Sequence, residues 1–318
     1  MKRHEKITYT NEIGKSVEMD YSFPYFLINL EGADGLENNI YQTNGIGQDG
    51  VSVTGSNLQP RPLTINGGIK GYSKTEISRY RNTLLKTFAP KSKGTLVYEY
   101  GEVRKKIDCY VEVAPRFQKL NNEYRMQEFK IDLLCPDPYW QDVEQNSIDL
   151  VTWIENLEFI EEGFSTEQNP NYWLGTEEGS LGFEDFISEF GTGQAEVFGY
   201  RELKQIIEID NKGDADTPIK VIFKADSDVV NPFIQNILTY DKMQIKGTLH
   251  AGDELIITTG YGNKNVYLNG AKAQQYYDFL NSEWLQLQPG INLIKYDAES
   301  GINNLECRIL YTSKYMGV

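Results

Sequence analysis

The sequence is poor in the side chains on which most catalytic and metal sites depend. Its 318 residues include two histidines, His4 and His250, and three cysteines, Cys109, Cys135 and Cys307. Three widely spaced cysteines make neither a disulfide framework nor a zinc pattern, so reduced, buried thiols are expected. A serine or cysteine hydrolase would need His250 as its base, but that residue stands beside an Ala251-Gly252 turn, and His4 lies near the terminus. With only 11 prolines, the composition argues against long disordered linkers. No run of about 18 apolar residues occurs, and the opening MKRHEKITYT has charges without an apolar stretch behind it, so neither a membrane span nor an export signal is expected.

Basic charge is missing from one region in particular. Residues 1–140 carry 19 Lys and Arg against 17 Asp and Glu, a net of +2, whereas residues 141–318 carry 12 against 29, a net of -17. Within the second part, residues 141–203 hold one base, Arg201, and 15 acids. Phosphate binding works through basic charge that releases counterions, so nucleic acid is excluded as a partner.

What the chain has is aromatic and strand-favouring: 21 Tyr, 14 Phe and 4 Trp within 40% apolar residues. This indicates a mainly β protein, long enough for two ordinary domains. Up to residue 72, short apolar runs alternate with Gly and Asn clusters, which reads as strands and turns. One helix interrupts them. Ser73 and Glu76 make a capping box, Ile77, Tyr80, Leu84, Leu85 and Phe88 recur at helical spacing as its core face, and Pro90 stops it. Residues 95–100 and 106–113 read as a hairpin around Gly101-Glu102, and 125–134 as a third strand. The sheet is expected to finish at Cys135-Pro136-Asp137-Pro138, where prolines remove ladder donors. The domain boundary is placed after Trp140.

Residues 141–182 read as an acidic, aromatic-rich insertion, in which Trp153, Tyr172 and Trp173 are the candidate contacts for a partner or a sugar. A second β-sandwich follows over 183–318, from period-two runs such as Ile219, Val221, Phe223 and Leu305, Cys307, Ile309. Its turns are chemically explicit: Asn269-Gly270 suits a two-residue hairpin and Pro289-Gly290 a type II turn.

The remaining motifs are weak as chemistry. Gly45-Ile46-Gly47-Gln48-Asp49-Gly50 spells a dinucleotide fingerprint, but Val51-Ser52-Val53-Thr54 follows as a strand where that motif needs a helix. Asp210, Asp214 and Asp216 open like a calcium loop, yet Val221 occupies the position that needs a bidentate Glu. A carboxylate pair for glycoside hydrolysis has only the abundance of acids behind it. The cluster Arg104-Lys105-Lys106 reads as a solvated strand edge. No catalytic residue, cofactor or metal is assigned.

Two series of motifs do point somewhere. The first is Ser22-Phe23-Pro24-Tyr25, Gly47-Gln48-Asp49-Gly50, the capped helix ending in Ala89-Pro90-Lys91, Ile107-Asp108-Cys109-Tyr110-Val111-Glu112, and Cys135-Pro136-Asp137-Pro138-Tyr139-Trp140. The second is Asn211-Lys212-Gly213-Asp214, Thr217-Pro218, Asn269-Gly270, Trp284, Pro289-Gly290-Ile291-Asn292 and residues 311–318. In this order the chain resembles the distal tail proteins of siphophages, the siphovirus-type tail components.

That resemblance implies a tail-tube-like belt domain over 1–140 that forms a hexameric ring, and a galectin-like sandwich outside it. The implied partners are other copies of the chain, the tail-tube protein, the tail-tip or tail-associated protein, and a receptor-binding protein. The place would be the virion tail tip, after assembly in the bacterial cytoplasm. A rival reading is a carbohydrate-binding module for the host wall. Galectin sugar sites pair a His, Asn and Arg set with a Trp, Glu and Arg run, whereas Trp284 here is followed by Leu285-Gln286-Leu287, so the insertion is where that rival would reside.

Overall fold

The computed structural model describes residues 5–119, 126–155, 199–203 and 206–318. The first part contains β1 (Lys6–Asn11), β2 (Ser16–Met19), β3 (Tyr25–Glu31), β4 (Asn38–Thr43), β5 (Ser52–Leu58) and β6 (Arg61–Lys70). These are followed by α1 (Lys74–Thr87), β7 (Lys93–Tyr100), β8 (Val103–Phe117), β9 (Met126–Cys135) and β10 (Trp140–Asp142). Seven strands form one antiparallel sheet in the order β2-β1-β7-β8-β9-β6-β3. Its two ends meet at Asp20, which bridges to Phe26 and whose carbonyl accepts the Leu27 N–H at 2.7 Å. The sheet thereby curls on itself, and alternate residues such as Ile7, Tyr9, Ile65, Leu96 and Ile131 fill the inside.

α1 is anchored by its first turn. Ser73 Oγ accepts the Glu76 N–H at 3.2 Å, and Glu76 returns a carboxylate oxygen to the Tyr72 N–H at 2.9 Å, one residue before the cap. The C-terminal end closes with the Phe88 N–H on the Leu84 carbonyl at 2.8 Å, ahead of Pro90. Ile77, Leu84 and Phe88 are buried, and Phe88 stacks on Tyr9 with ring centroids 4.1 Å apart. Tyr80 is half-buried, edge-on to Tyr25. Leu85 departs from the expected core face and is 41% exposed. At about 100° per residue it sits roughly 80° round the helix from Ile77, at the margin of the buried stripe.

A second correction concerns Pro136 and Pro138. β9 ends at Cys135, but the sheet resumes: β10 pairs Gln141 with Lys106 and Asp142 with Lys105 on β8. The prolines make a detour of four residues, and the strand ladder continues beyond it.

The second part contains β11 (Asn146–Asp149), β12 (Val151–Glu155), β13 (Gly199–Leu203), β14 (Ile206–Asn211), β15 (Thr217–Ala225), β16 (Val229–Val230), β17 (Phe233–Asn236), β18 (Lys242–Gln244) and β19 (Thr248–Leu249). It continues with β20 (Glu254–Gly260), β21 (Asn263–Leu268), β22 (Ala271–Lys272), β23 (Gln286–Leu287), β24 (Gly290–Asp297), β25 (Leu305–Tyr311) and β26 (Lys314–Tyr315). One sheet runs β11-β25-β15-β20-β21-β22 and the other β14-β24-β17-β18. Val221, Phe223, Ile257 and Ile309 of the first and Ile209, Ile234, Ile294 and Tyr296 of the second share one core, which makes a two-sheet sandwich. The turn between β21 and β22 holds Asn269 at φ 52° and Gly270 at φ 79°, the left-handed pair that joins Leu268 to Ala271 in register.

Between β11 and β14, β12 and β13 pair from Val151↔Leu203 to Glu155↔Gly199 as a separate ribbon. Trp153 lies on this ribbon, while Tyr172 and Trp173 lie outside the described residues. Among the described residues no helix is long and apolar enough to cross a membrane.

Truncating helix residues should separate the buried stripe from its margin. Phe88→Ala is expected to lose about 3–5 kcal/mol in denaturant titration, Ser73→Ala about 0.5–2 kcal/mol, and Leu85→Ala less than about 1 kcal/mol. A Leu85→Ala loss as large as that of Phe88→Ala would contradict the exposed placement.

Candidate functional site

The chemistry-bearing candidates of the sequence fall in separate places. The Gly45–Gly50 loop caps the β4–β5 hairpin and leads into a strand. His250 is exposed, with Nδ1 2.9 Å from Asp228, whose carboxylate holds its imidazole above the ordinary histidine value. Cys109, Cys135 and Cys307 are buried and free. The hydrogen bond with Cys135, with burial behind it, raises the Cys109 thiol, and burial raises that of Cys307, so neither favours the reactive thiolate. Trp284 stacks on Tyr277, ring centroids 4.4 Å apart, and so packs into the sandwich. Among the described residues no group of three or more His, Cys, Asp or Glu is placed to hold a metal ion.

The densest polar construction is the junction between barrel and sandwich. Arg61 opens β6 and is 2% exposed. Its Nη1 donates to the carbonyls of Gly32 at 2.6 Å, Ala33 at 2.9 Å and Gly35 at 3.3 Å, and its Nε donates to Pro138 at 2.7 Å. Nη2 donates to the carbonyl of Met316, at the other end of the chain. Burial pulls this guanidinium below the ordinary arginine value while Asp34 opposes the shift, and at any usual pH it stays charged. Trp140, fully buried, donates Nε1–H to the same Ala33 carbonyl at 2.9 Å.

Residues 314–318 therefore return to the barrel. β26 pairs Tyr315 with Trp140 and Lys314 with Gln141. Lys105 reaches Asp142 at 2.6 Å and lies 3.2 Å from the Tyr315 ring centroid, and the Tyr315 hydroxyl donates to Asp142 at 3.1 Å. Lys314 pairs with Asp137 at 2.7 Å. Asp214, which headed the calcium-like run together with Asp210, instead accepts the Met316 N–H at 3.0 Å and donates its own N–H to Lys314. A side chain at Gly317 would stand 2.6 Å from the Asp34 carbonyl, so that approach requires glycine. The motifs around 135–140, 211–214 and 311–318 thus converge on one joint, although nothing in their sequence spacing signals that they meet.

The second notable surface is the hairpin β4–β5. β4 is exposed along its whole length and β5 has no buried residue. Ile40, Tyr41, Val51 and Val53 are each more than half exposed, Ile46 is fully exposed at the tip, and Asp49 is the hairpin's single charge. A two-stranded hairpin is marginal alone in water, so one this apolar is shaped for a partner surface.

The molecule is thus a closed barrel joined to a sandwich, with polarity concentrated at the joint and an exposed apolar hairpin on the barrel. Residues 14–135 match the phage tail protein RIFT-related domain, and residues 212–315 the siphovirus-type tail component, C-terminal domain. The chain belongs to the siphophage distal tail protein family. Among solved structures, that of the Dit protein (gp 19.1) of SPP1, described as a paradigm of the hub adsorption apparatus in Gram-positive infecting phages, aligns with TM-score 0.64 at 11% identity. It covers 97% of this chain and 98% of that one. Chains of the phage P2 baseplate in its activated conformation align more loosely. With Ca the TM-score is 0.46, with 14% identity and 98% of both chains covered; with Sr it is 0.45, with 14% identity and 97% of both covered. No curated protein matches.

Arg61→Ala should cost about 3 kcal/mol or more in chemical denaturation, because it leaves several buried carbonyls without a donor. Arg61→Lys should not restore the loss, since one ammonium cannot reach Gly32, Pro138 and Met316 together. Full stability of either variant would show that the joint is incidental.

Proposed function

We propose that this chain is the distal tail protein of a long-tailed phage or prophage, and that six copies form a ring joining the tail tube to the tail-tip protein and organising the host-adsorption parts. The observation that carries this reading is the exposed, almost uncharged β4–β5 hairpin. A ring needs heterologous contacts that close, and an apolar arm reaching beyond its own barrel supplies one side of such a contact. The near-neutral balance of residues 1–140, +2, also suits close packing of like subunits better than the -17 of the remainder. Like charges a few ångströms apart cost on the order of 1–4 kcal/mol. The 15 acids of residues 141–203 therefore belong away from the ring contacts. The role is structural, without catalysis.

Light scattering of the purified chain, alone and with tube or tip protein, should give the mass of six copies or of stacked rings. Replacing residues 38–58 by a short glycine turn should leave a folded monomer. A chain that stays monomeric in every mixture overturns the ring.

Of the stretch read from sequence as an insertion, 141–182, residues up to 155 contribute β10, β11 and β12, so it is the chain between β12 and β13 that is expected to be separable from folding. Glu155 and Gly199 are cross-strand partners, so a two-residue Asn-Gly turn fits in place of residues 156–198. That variant should keep its circular dichroism and still form rings while losing a tail-tip or adsorption partner. Loss of rings with normal folding would put the insertion in the ring contact.

A further inference from the structure

The hairpin and a cluster of exposed aromatic rings lie at opposite ends of one strand pair. β3 and β6 run antiparallel from Tyr25↔Ile69 to Glu31↔Thr64. The hairpin leaves from the Glu31 and Arg61 end. Beyond the other end stand Phe23, 41% exposed, and Tyr72, 75% exposed, with ring centroids 5.3 Å apart, and Tyr80 lies edge-on to Phe23 at 5.7 Å. Tyr80 backs onto Tyr25, whose hydroxyl donates to the Tyr80 carbonyl at 3.2 Å, so the cluster rests on the barrel core.

We propose that this Phe23–Tyr72–Tyr80 cluster is the acceptor for the β4–β5 hairpin of a second copy of the chain. The inference rests on the ring reading above and assigns residues to its contact. A heterologous contact joins two different surfaces of the same protein, and here the two lie about 20 Å apart along one strand pair, with the arm at one end and the platform at the other. That separation lets each copy give its hairpin forward and receive one behind. The chemistry of the two surfaces matches. The hairpin presents Ile40, Tyr41, Val51, Val53 and Ile46, and aromatic platforms supported from below are favoured anchors for such groups. Asp49, its single charge, meets cations at the platform: Lys74 opens α1 and Arg79 lies 5.4 Å from the Tyr80 ring, while Glu76 is turned back onto the Tyr72 N–H. Tyr41 already lies over Gly55 and bonds Asn57 at 3.0 Å, which stiffens the arm before it docks and reduces the ordering cost.

The test is photo-crosslinking in the full-length chain with benzoylphenylalanine in place of Tyr72, in mixtures of isotopically labelled and unlabelled copies, under conditions where light scattering reports rings. The expected product joins position 72 of one copy to a peptide within residues 38–58 of another. As a second arm, Tyr72→Asp and Val53→Asp should each raise the concentration needed for ring formation at least about tenfold, with unchanged circular dichroism. Rings that form normally while position 72 crosslinks elsewhere, or only to added tube or tip protein, overturn this assignment and leave the ring reading intact. Absence of rings under every condition overturns both.

Discussion

A buried positive charge constrains everything around it. The Arg61 guanidinium is stable inside the protein only because carbonyl oxygens surround it, and those oxygens come from the 32–35 loop, the Pro138 detour and residue 316. Each of these segments is irregular backbone that no strand ladder holds in place, so the arginine does for them what a ladder does for strands. Once they are held, the neighbouring elements have little freedom. Trp140 fills the space behind Ala33, β10 resumes the sheet beside β8, and β26 lies against β10. The sandwich is then tethered twice at close range, because β11 starts soon after β10 and β25 ends just before β26.

Where a feature depended on neighbouring residues, the sequence disclosed it. The Ser73–Glu76 cap, the helix it starts, the Asn269-Gly270 turn and the alternation of β15 and β25 all follow from local chemistry and short periods. Leu85 was misplaced because spacing alone does not fix how wide the buried stripe is; that depends on the curvature of the barrel beneath. The sheet was expected to end at Pro136 and Pro138 because prolines forbid ladder bonds, but the prohibition acts residue by residue and Trp140 lies beyond it. The joint itself was illegible. Arg61, Asp214 and Met316 come together through contacts that span most of the chain, and a lone arginine at the start of a strand reads as a surface residue.

Charge and shape divide the labour between the two parts. The joint uses matched pairs, Lys105 with Asp142 and Lys314 with Asp137, each with one partner well shielded from water. Between β11 and β14 the chain makes an excursion through the β12–β13 ribbon. The β4–β5 hairpin is built the same way, as an excursion between two paired strands, β3 and β6. Excursions of this kind are where a fold generally tolerates changes of length and composition without disturbing the sheets that bear them.

The return of residues 314–318 to the barrel has a consequence for the order of folding. Arg61 and Met316 are 255 positions apart, so at ~5–20 residues per second of synthesis the barrel waits more than ten seconds for its final strand and for the last acceptor of its buried charge. During that interval the inner face of the Trp140 strand and the arginine stay incompletely covered, and the sandwich must be in place before the tail is brought back. The two parts look separable in space, but in time the first is finished last, and loss of residues 314–318 would be felt mainly by the domain that was made first.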